Sequence, residues 1–410
     1  MDRRTFLGAL MAATLPFPAS AAQCRDGDAN AADVRWLIGQ IEAHYAYLPD
    51  RHIDLAKLRA IYIGEAQAVC EPHTFLNVLE RLLAELHDHH IEPNVNNSAS
   101  PQLVPTGADI WAAFQDDRAI VEAVRPGSAA ARIGIRAGSE VAAIGGISVS
   151  KVVADRAPRA LSTPDPEADD YTLRVLLAGT HDAPRRLTFR TRTEVEPQVA
   201  LPPHQSDPQG PLLSLRRLEN GIACIRIENS LGDPALVAAF DTALDETHDA
   251  RALILDLRNT PSGGNTDVAE PILGRFITGR PGYQRGFKPG PGRTFPKDGY
   301  TRWVRSRGRT ITVPLAVLCS RWTGSMGEGM TIGLDGLGRA TVVGTRMAGL
   351  CGATEQFKLP ASGIGVSFPT ERLYHLDGTP REKWVPPHLV DLAKAMGDDP
   401  VLDRALALLA

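Results

Sequence analysis

The chain has 410 residues, of which 43% are hydrophobic and 22% are charged, a composition typical of a soluble globular protein with two or three domains. Its 44 basic and 48 acidic residues give a net charge of −4. This charge is too small and too mixed to indicate a nucleic-acid or anionic-membrane partner. We therefore expect no basic run and no basic face studded with aromatic residues.

Residues 1–22 have the order of a secretory signal peptide. The pair Arg3-Arg4 precedes an apolar run from Leu7 to Phe17 and the small-residue cleavage signal Ala19-Ser20-Ala21-Ala22. The apolar run is too short to span a membrane. The paired arginines resemble the twin-arginine export signal of bacteria. We predict a periplasmic or secreted protein with no stable membrane insertion after cleavage.

The chain contains five cysteines, and an oxidising compartment would permit a disulfide bond between Cys24 and Cys70. The odd number leaves at least one free thiol. Cys224 and Cys319 lie in apolar, strand-like runs and are expected to be buried. No group of cysteines and histidines has the spacing of a zinc site. We therefore expect neither a metal nor another cofactor.

Residues 23–102 are predicted to form an N-terminal helical domain. Apolar residues recur there at steps of three and four, the period of an amphipathic helix. The second helix is expected to run into His87-Asp88-His89-His90 and to end near Pro93. Polar tips suit a helix C-terminus, but three histidines around one aspartate exceed what that role requires.

Residues 103–195 are predicted to form a domain of short strands and turns. Residues 119–146 give, in order, a strand, a Pro-Gly-Ser turn, an alanine-rich helix, a second strand and a Gly-Gly hairpin. This order resembles the second half of a PDZ domain of the protease-associated kind. The acidic residues Asp116, Asp117 and Glu140 are expected to be solvated turn charges. The prolines between Pro158 and Pro203 predict a loop-rich exit from this domain.

Residues 211–410 alternate apolar strands with helices, a pattern that predicts a mostly parallel sheet covered on both faces. No glycine-rich nucleotide motif follows any strand. The predicted strands include residues 221–227, 252–257, 315–318 and 341–343, and the predicted helices include residues 235–244, 268–276 and 330–337.

Thr323-Gly324-Ser325-Met326-Gly327-Glu328 follows one of these strands and has the form of a strand-to-helix elbow that exposes a nucleophile. The N–H groups that begin the helix could also stabilise an oxyanion. The alternative is that Ser325 is an ordinary helix N-cap. Glu328, one turn later, suits a supporting carboxylate.

A second strand ends in the glycine-rich turn from Asp256 to Asn265, which contains Gly263-Gly264. Such a turn can direct backbone N–H groups toward an anion. A phosphate nest is an alternative, but the lysine of a P-loop is absent. Asp256 and Arg258 are expected to form buried polar structure around the turn.

Together with Gly344-Thr345 and the stretch from Asp377 to Pro387, these two motifs resemble the superfamily of C-terminal processing proteases, the tricorn core protease and interphotoreceptor retinoid-binding protein. The resemblance extends over roughly residues 75 to 395 and includes the PDZ-like domain. It implies an α/β fold with a ClpP/crotonase-like core at residues 211–410, and a serine peptidase.

The resemblance implies that Ser325 is the nucleophile and that Met326 N–H, with Gly263 or Gly264, forms the oxyanion hole. The turn has one residue more than the usual family form, so the sequence leaves the choice of glycine open. The branch of processing proteases uses a lysine where this chain has Leu350, which cannot accept a proton. Lys358 and Lys383 remain as distant substitutes.

The tricorn-like branch instead uses a histidine and a glutamate, a chemistry in which imidazole takes the serine proton and a carboxylate orients the ring. The D-x-H motif of that branch matches Asp88-His89-His90 and places the base at His90, with His89 or His87 as the alternative. Glu382 matches the glutamate, with a surface charge as its other interpretation. Arg346 is a candidate for recognising a substrate carboxylate.

The sequence therefore predicts an exported serine peptidase that acts on peptides or proteins through Ser325, His90 and Glu382, with a PDZ-like domain for peptide binding or gating. Non-catalytic ligand-binding or scaffold members of the same superfamily are the alternative. A small-molecule esterase would share the same machinery. The oligomeric state, including a homo-oligomer, is left open.

Overall fold

The computed structural model describes residues 27–190, 197–205 and 210–410. The predicted signal peptide and Cys24 lie outside these residues. Cys70 is disulfide-bonded, whereas Cys224, Cys319 and Cys351 are free and buried. Within the described ranges, no helix is long and apolar enough to cross a membrane.

The N-terminal helices pack together through the apolar faces that the sequence predicts. The helix before the histidines nevertheless ends at Ala84, so the predicted extension into His87–His90 is wrong. The chain instead turns at His87, which has a φ of 36°, and its ring contacts Glu85 O at 3.2 Å and Asp165 Oδ2 at 3.1 Å. The elements are α1 (Gly27–His44), a 3₁₀ turn (Leu48–Asp50), α2 (Leu55–Gln67), α3 (Pro72–Ala84) and β1 (Glu92–Pro93).

The middle domain is an antiparallel sheet in the order β2-β3-β4-β6-β7, with β5 paired to β4. The alanine-rich helix forms as predicted, capped by Ser128. This domain has its own apolar core, while its assignment as a PDZ domain stays a prediction. The elements are β2 (Ile110–Gln115), β3 (Arg118–Val124), α4 (Ala129–Arg132), β4 (Glu140–Ile144), β5 (Ile147–Ser148), α5 (Val149–Arg156), α6 (Pro166–Ala178), β6 (Arg185–Arg190) and β7 (Val199–Leu201).

Two predictions for this domain are wrong. Glu140 is not a solvated turn charge, since it is 7% exposed and pairs with Arg118 at 2.6 Å and with Arg190 at 3.3 Å. The proline-rich exit contains α6, because Pro166 occupies the first helical position, where its missing N–H has no helical partner to lose. Asp165 caps this helix by accepting from the N–H of Glu167.

The C-terminal domain contains the predicted, mostly parallel sheet, in the order β17-β14-β13-β10-β9-β8. Helices α7, α8 and α9 supply the core on one face, and α10 covers the other, which confirms the α/β fold class. The elements are β8 (Leu213–Arg217), a 3₁₀ turn (Glu219–Gly221), β9 (Ile222–Ile227), α7 (Ala235–Glu246), β10 (Ala252–Asp256), α8 (Thr266–Leu273), β11 (Gly282–Phe287), β12 (Tyr300–Trp303), β13 (Leu315–Cys319), α9 (Met326–Gly336), β14 (Thr341–Gly344), β15 (Ala353–Lys358), β16 (Gly365–Tyr374), a 3₁₀ turn (Arg381–Lys383), β17 (His388–Leu389) and α10 (Pro400–Leu409).

The sheet topology positions the site. β10 and β13 are parallel neighbours, so both leave the sheet at the same edge and bring the glycine turn beside the elbow. Backbone hydrogen bonds join the two loops, from Thr260 N to Trp322 O at 3.0 Å and from Gly324 N to Thr260 O at 3.1 Å. A second sheet pairs β1 with β16, which holds His90, two residues before β1, against the C-terminal domain.

Candidate active site

Ser325 lies at the elbow between β13 and α9 with a φ of 46° and a ψ of −108°. A positive φ is rare for a non-glycine residue and costs on the order of 1–3 kcal/mol, which the surrounding structure must offset. Ser325 is also the N-cap of α9 and forms a capping box with Glu328. The N-cap interpretation therefore holds for the position of Ser325, whereas its role as a nucleophile stays a prediction.

Glu328 ties the elbow to a neighbouring loop. Its carboxylate is fully buried and accepts from the N–H groups of Ser325 at 2.8 Å, Gly349 at 2.9 Å and Leu350 at 3.3 Å. Burial raises the pKa of Glu328 to about 7, although Arg381 and the backbone donors oppose that rise. These three contacts are those expected of a carboxylate that supports the elbow.

The glycine turn packs directly on Ser325. Gly263 has a φ of 68°, and a Cβ atom built there would lie 2.4 Å from Ser325 Cβ and 3.0 Å from Ser325 Oγ, so only glycine fits. The N–H of Gly263 donates to Thr260 O at 3.1 Å. Within the described residues, the N–H groups of Gly264 and Met326 donate no hydrogen bond. Of the three predicted oxyanion donors, these two are therefore free.

His90 is held in one orientation. The backbone N–H of His90 donates to Asp88 Oδ1 at 2.9 Å, and the ring Nδ1 lies 2.5 Å from the carbonyl oxygen of Cys351. Because a carbonyl only accepts, Nδ1 carries the proton and Nε2 is left as the acceptor, the tautomer that a general base needs. Burial, aided by Arg381, lowers the pKa of His90 to about 4, so the ring is neutral at pH 7.

The alternative histidine, His89, has a different environment. Its ring stacks on Tyr171 with the centroids 4.5 Å apart and meets Trp111 edge-on at 6.2 Å. Its Nε2 is buried without a hydrogen-bond partner among the described residues. The structure therefore orients His90 and not His89 toward the loop beside the elbow.

Glu382 is half-buried, and burial raises the pKa of its carboxyl group. Its Oε2 accepts from the hydroxyl of Tyr47 at 3.4 Å. In the described part of the chain, no hydrogen bond joins Glu382 to His90 or either residue to Ser325 Oγ. The fold gathers the three predicted residues around the loop 349–352 without linking them by hydrogen bonds.

The loop 349–352 is pinned from several sides. Arg381 donates to Leu350 O at 2.9 Å and to Gly352 O at 2.7 Å, and Arg51 Nη2 lies 3.1 Å from Cys351 Sγ. Leu350, which occupies the lysine position of the processing branch, is 4% exposed. Its Cδ1 would lie 3.2 Å from a Cβ atom built on Gly324, so an apolar side chain fills that place.

The two lysines that the sequence left as distant substitutes lie outside the contacts of the loop 349–352. Lys358 and Lys383 are both exposed, and Lys383 lines a cavity of about 280 Å³ between the three domains. The cavity adjoins the elbow through Glu328 and Gly349, and Arg346 is exposed on its lining. Across the described ranges, no group of three or more histidine, cysteine, aspartate or glutamate side chains could hold a metal ion.

The middle domain contacts both loops of the site. Arg125 donates to Asn259 Oδ1 in the glycine turn at 2.8 Å. Arg321, four residues before Ser325, lies 2.5 Å from Glu122, and Trp322 Nε1 donates to Ala108 O at 2.7 Å. A displacement of this domain would therefore move the elbow and the turn.

Sequence reasoning missed the residues that act through backbone groups. The carbonyl of Cys351, which orients His90, carries no sequence signal, because every residue has one. Asp88 belongs to the D-x-H motif. Its carboxylate accepts from the backbone N–H of His90, which gives it a positioning role. Arg381, the chain neighbour of Glu382, is 3% exposed and anchors the loop through the carbonyl groups of Leu350 and Gly352.

Comparison with known proteins gives a family match and a shared fold. Residues 221–390 match peptidase family S41, whereas no curated protein matches the sequence. The fold is similar to that of mature CPAF, with a TM-score of 0.57 and 15% identity over 94% of this chain and 97% of that chain. It is equally similar to the photosystem II D1 C-terminal processing protease, with a TM-score of 0.57 and 16% identity over 92% and 97%.

A putative peptidase from Parabacteroides merdae has a TM-score of 0.51 and 16% identity, over 95% of this chain and 97% of the other. At these identities, the similarities show a shared fold over nearly the whole length of each chain.

Proposed function

We propose that the chain, whose residues 221–390 match peptidase family S41, is a serine-type peptidase that hydrolyses peptide bonds through a triad of Ser325, His90 and Glu382. The observation that carries the proposal is the strained backbone of Ser325 at the start of α9, with Gly263 packed against its side chain. Only a small set of roles repays such strain, and presentation of a nucleophile is one of them.

In the proposed reaction, Nε2 of His90 takes the proton of Ser325 Oγ as the oxygen attacks the substrate carbonyl. The free N–H groups of Gly264 and Met326 then receive the oxyanion, and each such donor is worth on the order of 3 kcal/mol. His90 Nε2 must come within hydrogen-bond distance of Ser325 for this step. Catalytic hydrogen bonds often tighten only in the complex with substrate.

Glu382 is proposed as the carboxylate that stabilises the imidazolium formed in this step. It lies beside the same loop, since a Cβ atom built on Gly349 would be 3.3 Å from Glu382 O. The Nδ1 atom of His90 is held by the Cys351 carbonyl. Glu382 would therefore act on the imidazolium through its negative charge and not through a hydrogen bond.

We further propose export of the protein and a PDZ-like role for the middle domain in peptide binding or gating. The order of residues 1–22 supports export. The contacts of the middle domain with the elbow and the glycine turn support gating, because a peptide that shifted this domain would act on both loops.

A fluorophosphonate probe tests for the activated serine. We expect covalent labelling of the wild-type protein and none in Ser325→Ala or His90→Gln. His89→Gln and the exposed-serine control Ser306→Ala should label normally. Equal labelling of His90→Gln and wild type would remove His90 from the proposal. A folded wild-type protein that does not label, with or without added peptides, would instead favour the non-catalytic binding protein.

A further inference from the structure

The small net charge of the chain conceals one strongly basic segment. Residues 275–310 contain ten lysines and arginines and a single aspartate, a net charge of +9 in a chain of −4. This corrects the expectation that no basic run is present. The segment includes the hairpin β11–β12, and β12 is the edge strand of its sheet.

Part of this charge is neutralised and part is not. Arg275 and Arg307 pair with Asp241, but the guanidinium groups of Arg280, Arg305 and Arg309 have no ion-pair or hydrogen-bond partner among the described residues. All three side chains are exposed. The backbone pairs Val304 N with Pro281 O and Ser306 N with Gly279 O, which places Arg280 opposite Arg305.

Two of these free cations, Arg280 and Arg309, adjoin a groove of about 460 Å³ that has an apolar floor. Ile277 and Ile311 lie in its lining and are 6% and 7% exposed, while Thr278 and Thr310 add hydroxyl groups. Arg280 and Arg309 are the immediate chain neighbours of groove residues. Arg339, also in the lining, donates to Phe276 O, Ile311 O and Val313 O, so these N–H donors are already engaged and the groove is preformed.

We infer that this groove is a docking site for an acidic polypeptide segment that inserts an apolar side chain between its carboxylates. The three unpaired guanidinium groups supply the charge complementarity, and arginine suits carboxylate through its fork of donors. The apolar residues are recessed, so a flat bilayer surface would not reach them. The aromatic member of the groove, Phe276, is 2% exposed, so the groove itself has no ring on which a nucleic-acid base could stack. Trp303 is 51% exposed on β12 but does not line the groove, and the oligonucleotide arm of the test below decides whether it stacks on a base.

The docking site is separate from the nucleophile. Leu337, Gly338 and Arg339 of the groove follow the C-terminus of α9, whereas Ser325 precedes its N-terminus. At 1.5 Å per residue, the 11-residue helix separates the two by about 16 Å. The inference therefore does not depend on the proposed catalysis, and binding can be measured in a Ser325→Ala background.

The test is fluorescence anisotropy of a fluorescein-labelled peptide in which glutamate alternates with valine, added to full-length Ser325→Ala protein at low salt. Its counterpart carries lysine in place of glutamate. We expect the acidic peptide to bind and the basic peptide not to bind. Replacing Arg280, Arg305 and Arg309 with alanine should weaken binding by at least about tenfold. The matched control replaces three exposed arginines elsewhere with alanine, Arg35, Arg136 and Arg404, and should bind as the parent does.

A second variant separates the groove from the charge. Thr278→Trp places a large side chain in the groove at an exposed position and keeps all three arginines, and it should also weaken binding by about tenfold or more. When the three arginine substitutions are made in a protein that keeps Ser325, fluorophosphonate labelling should be unchanged.

Several results would overturn the inference. These are no binding of the acidic peptide, equal losses in the arginine and control variants, or unchanged binding in Thr278→Trp. Binding of anionic phosphatidylglycerol vesicles or of an oligonucleotide without binding of the peptide would assign the surface to another partner. Sedimentation that showed the groove occupied by a second copy of the chain would do the same.

Discussion

The buried carboxylate of Glu328 links the stability of the protein to pH. Burial raises its pKa from an ordinary value of 4.5 to about 7. A raised folded-state pKa means that the folded chain holds this proton more tightly than the unfolded chain does. The contribution to stability is therefore fully present below pH 4.5 and is lost as the pH rises through 7. The difference between the two pKa values corresponds to about 3 kcal/mol.

Glu328→Gln removes the ionisation and isolates this effect. The amide offers one acceptor oxygen to the N–H groups of Ser325 and Gly349, so the variant carries a constant cost of about 1–3 kcal/mol. Because glutamine stays neutral, the free energy of unfolding of wild type minus that of the variant should fall by about 3 kcal/mol between pH 4.5 and pH 8. Urea denaturation followed by circular dichroism at four pH values in this range measures the difference. A difference that stays constant, or that rises with pH, would refute the reasoning.

Three further predictions concern the loops of the site. Gly263→Ala should abolish fluorophosphonate labelling, because its Cβ would collide with Ser325. The control Gly279→Ala, at a position with a similar φ and open space around it, should label normally. Loss of labelling in both variants would contradict the packing argument. Arg381→Met removes two hydrogen bonds to carbonyl groups of the loop and should lower the free energy of unfolding by about 3 kcal/mol. The control Lys383→Met, at an exposed neighbouring position, should change it by less than about 0.5 kcal/mol. Equal denaturation midpoints for the two variants would argue against an anchoring role of Arg381. Since the pKa of His90 is lowered to about 4, the labelling rate should rise with pH to a plateau with its midpoint near 4, and a midpoint near 6.5 would show that the ring is not buried as described.

Much of the C-terminal fold could be predicted from the sequence, because fully buried parallel strands read as continuous apolar runs separated by amphipathic helices. The strands β9, β10 and β13 and their parallel arrangement followed from that pattern. The sequence does not predict α6, because clustered prolines indicate a loop, whereas Pro166 stands in the first turn of the helix, which tolerates proline. The end of α3 at Ala84 depends on contacts of His87 with Asp165, a residue 78 positions away.

The candidate site was predictable where side chains carry the chemistry and not where the backbone does. The small residues around Ser325 signalled an elbow because a bent backbone with an accessible hydroxyl needs them. The free N–H of Gly264, in contrast to the engaged N–H of Gly263, depends on the turn geometry of Thr260. The carbonyl of Cys351 could be recognised only once the fold had placed it beside His90.

The most direct test of the central claim is to incubate the purified protein with a mixture of unlabelled peptides and to identify new peptide termini by mass spectrometry. The account predicts cleavage by the wild-type protein, no cleavage by Ser325→Ala or His90→Gln, and normal cleavage by Ser306→Ala. Cleavage that persists in Ser325→Ala would contradict it. So would a wild-type protein that hydrolyses small esters but leaves every peptide intact.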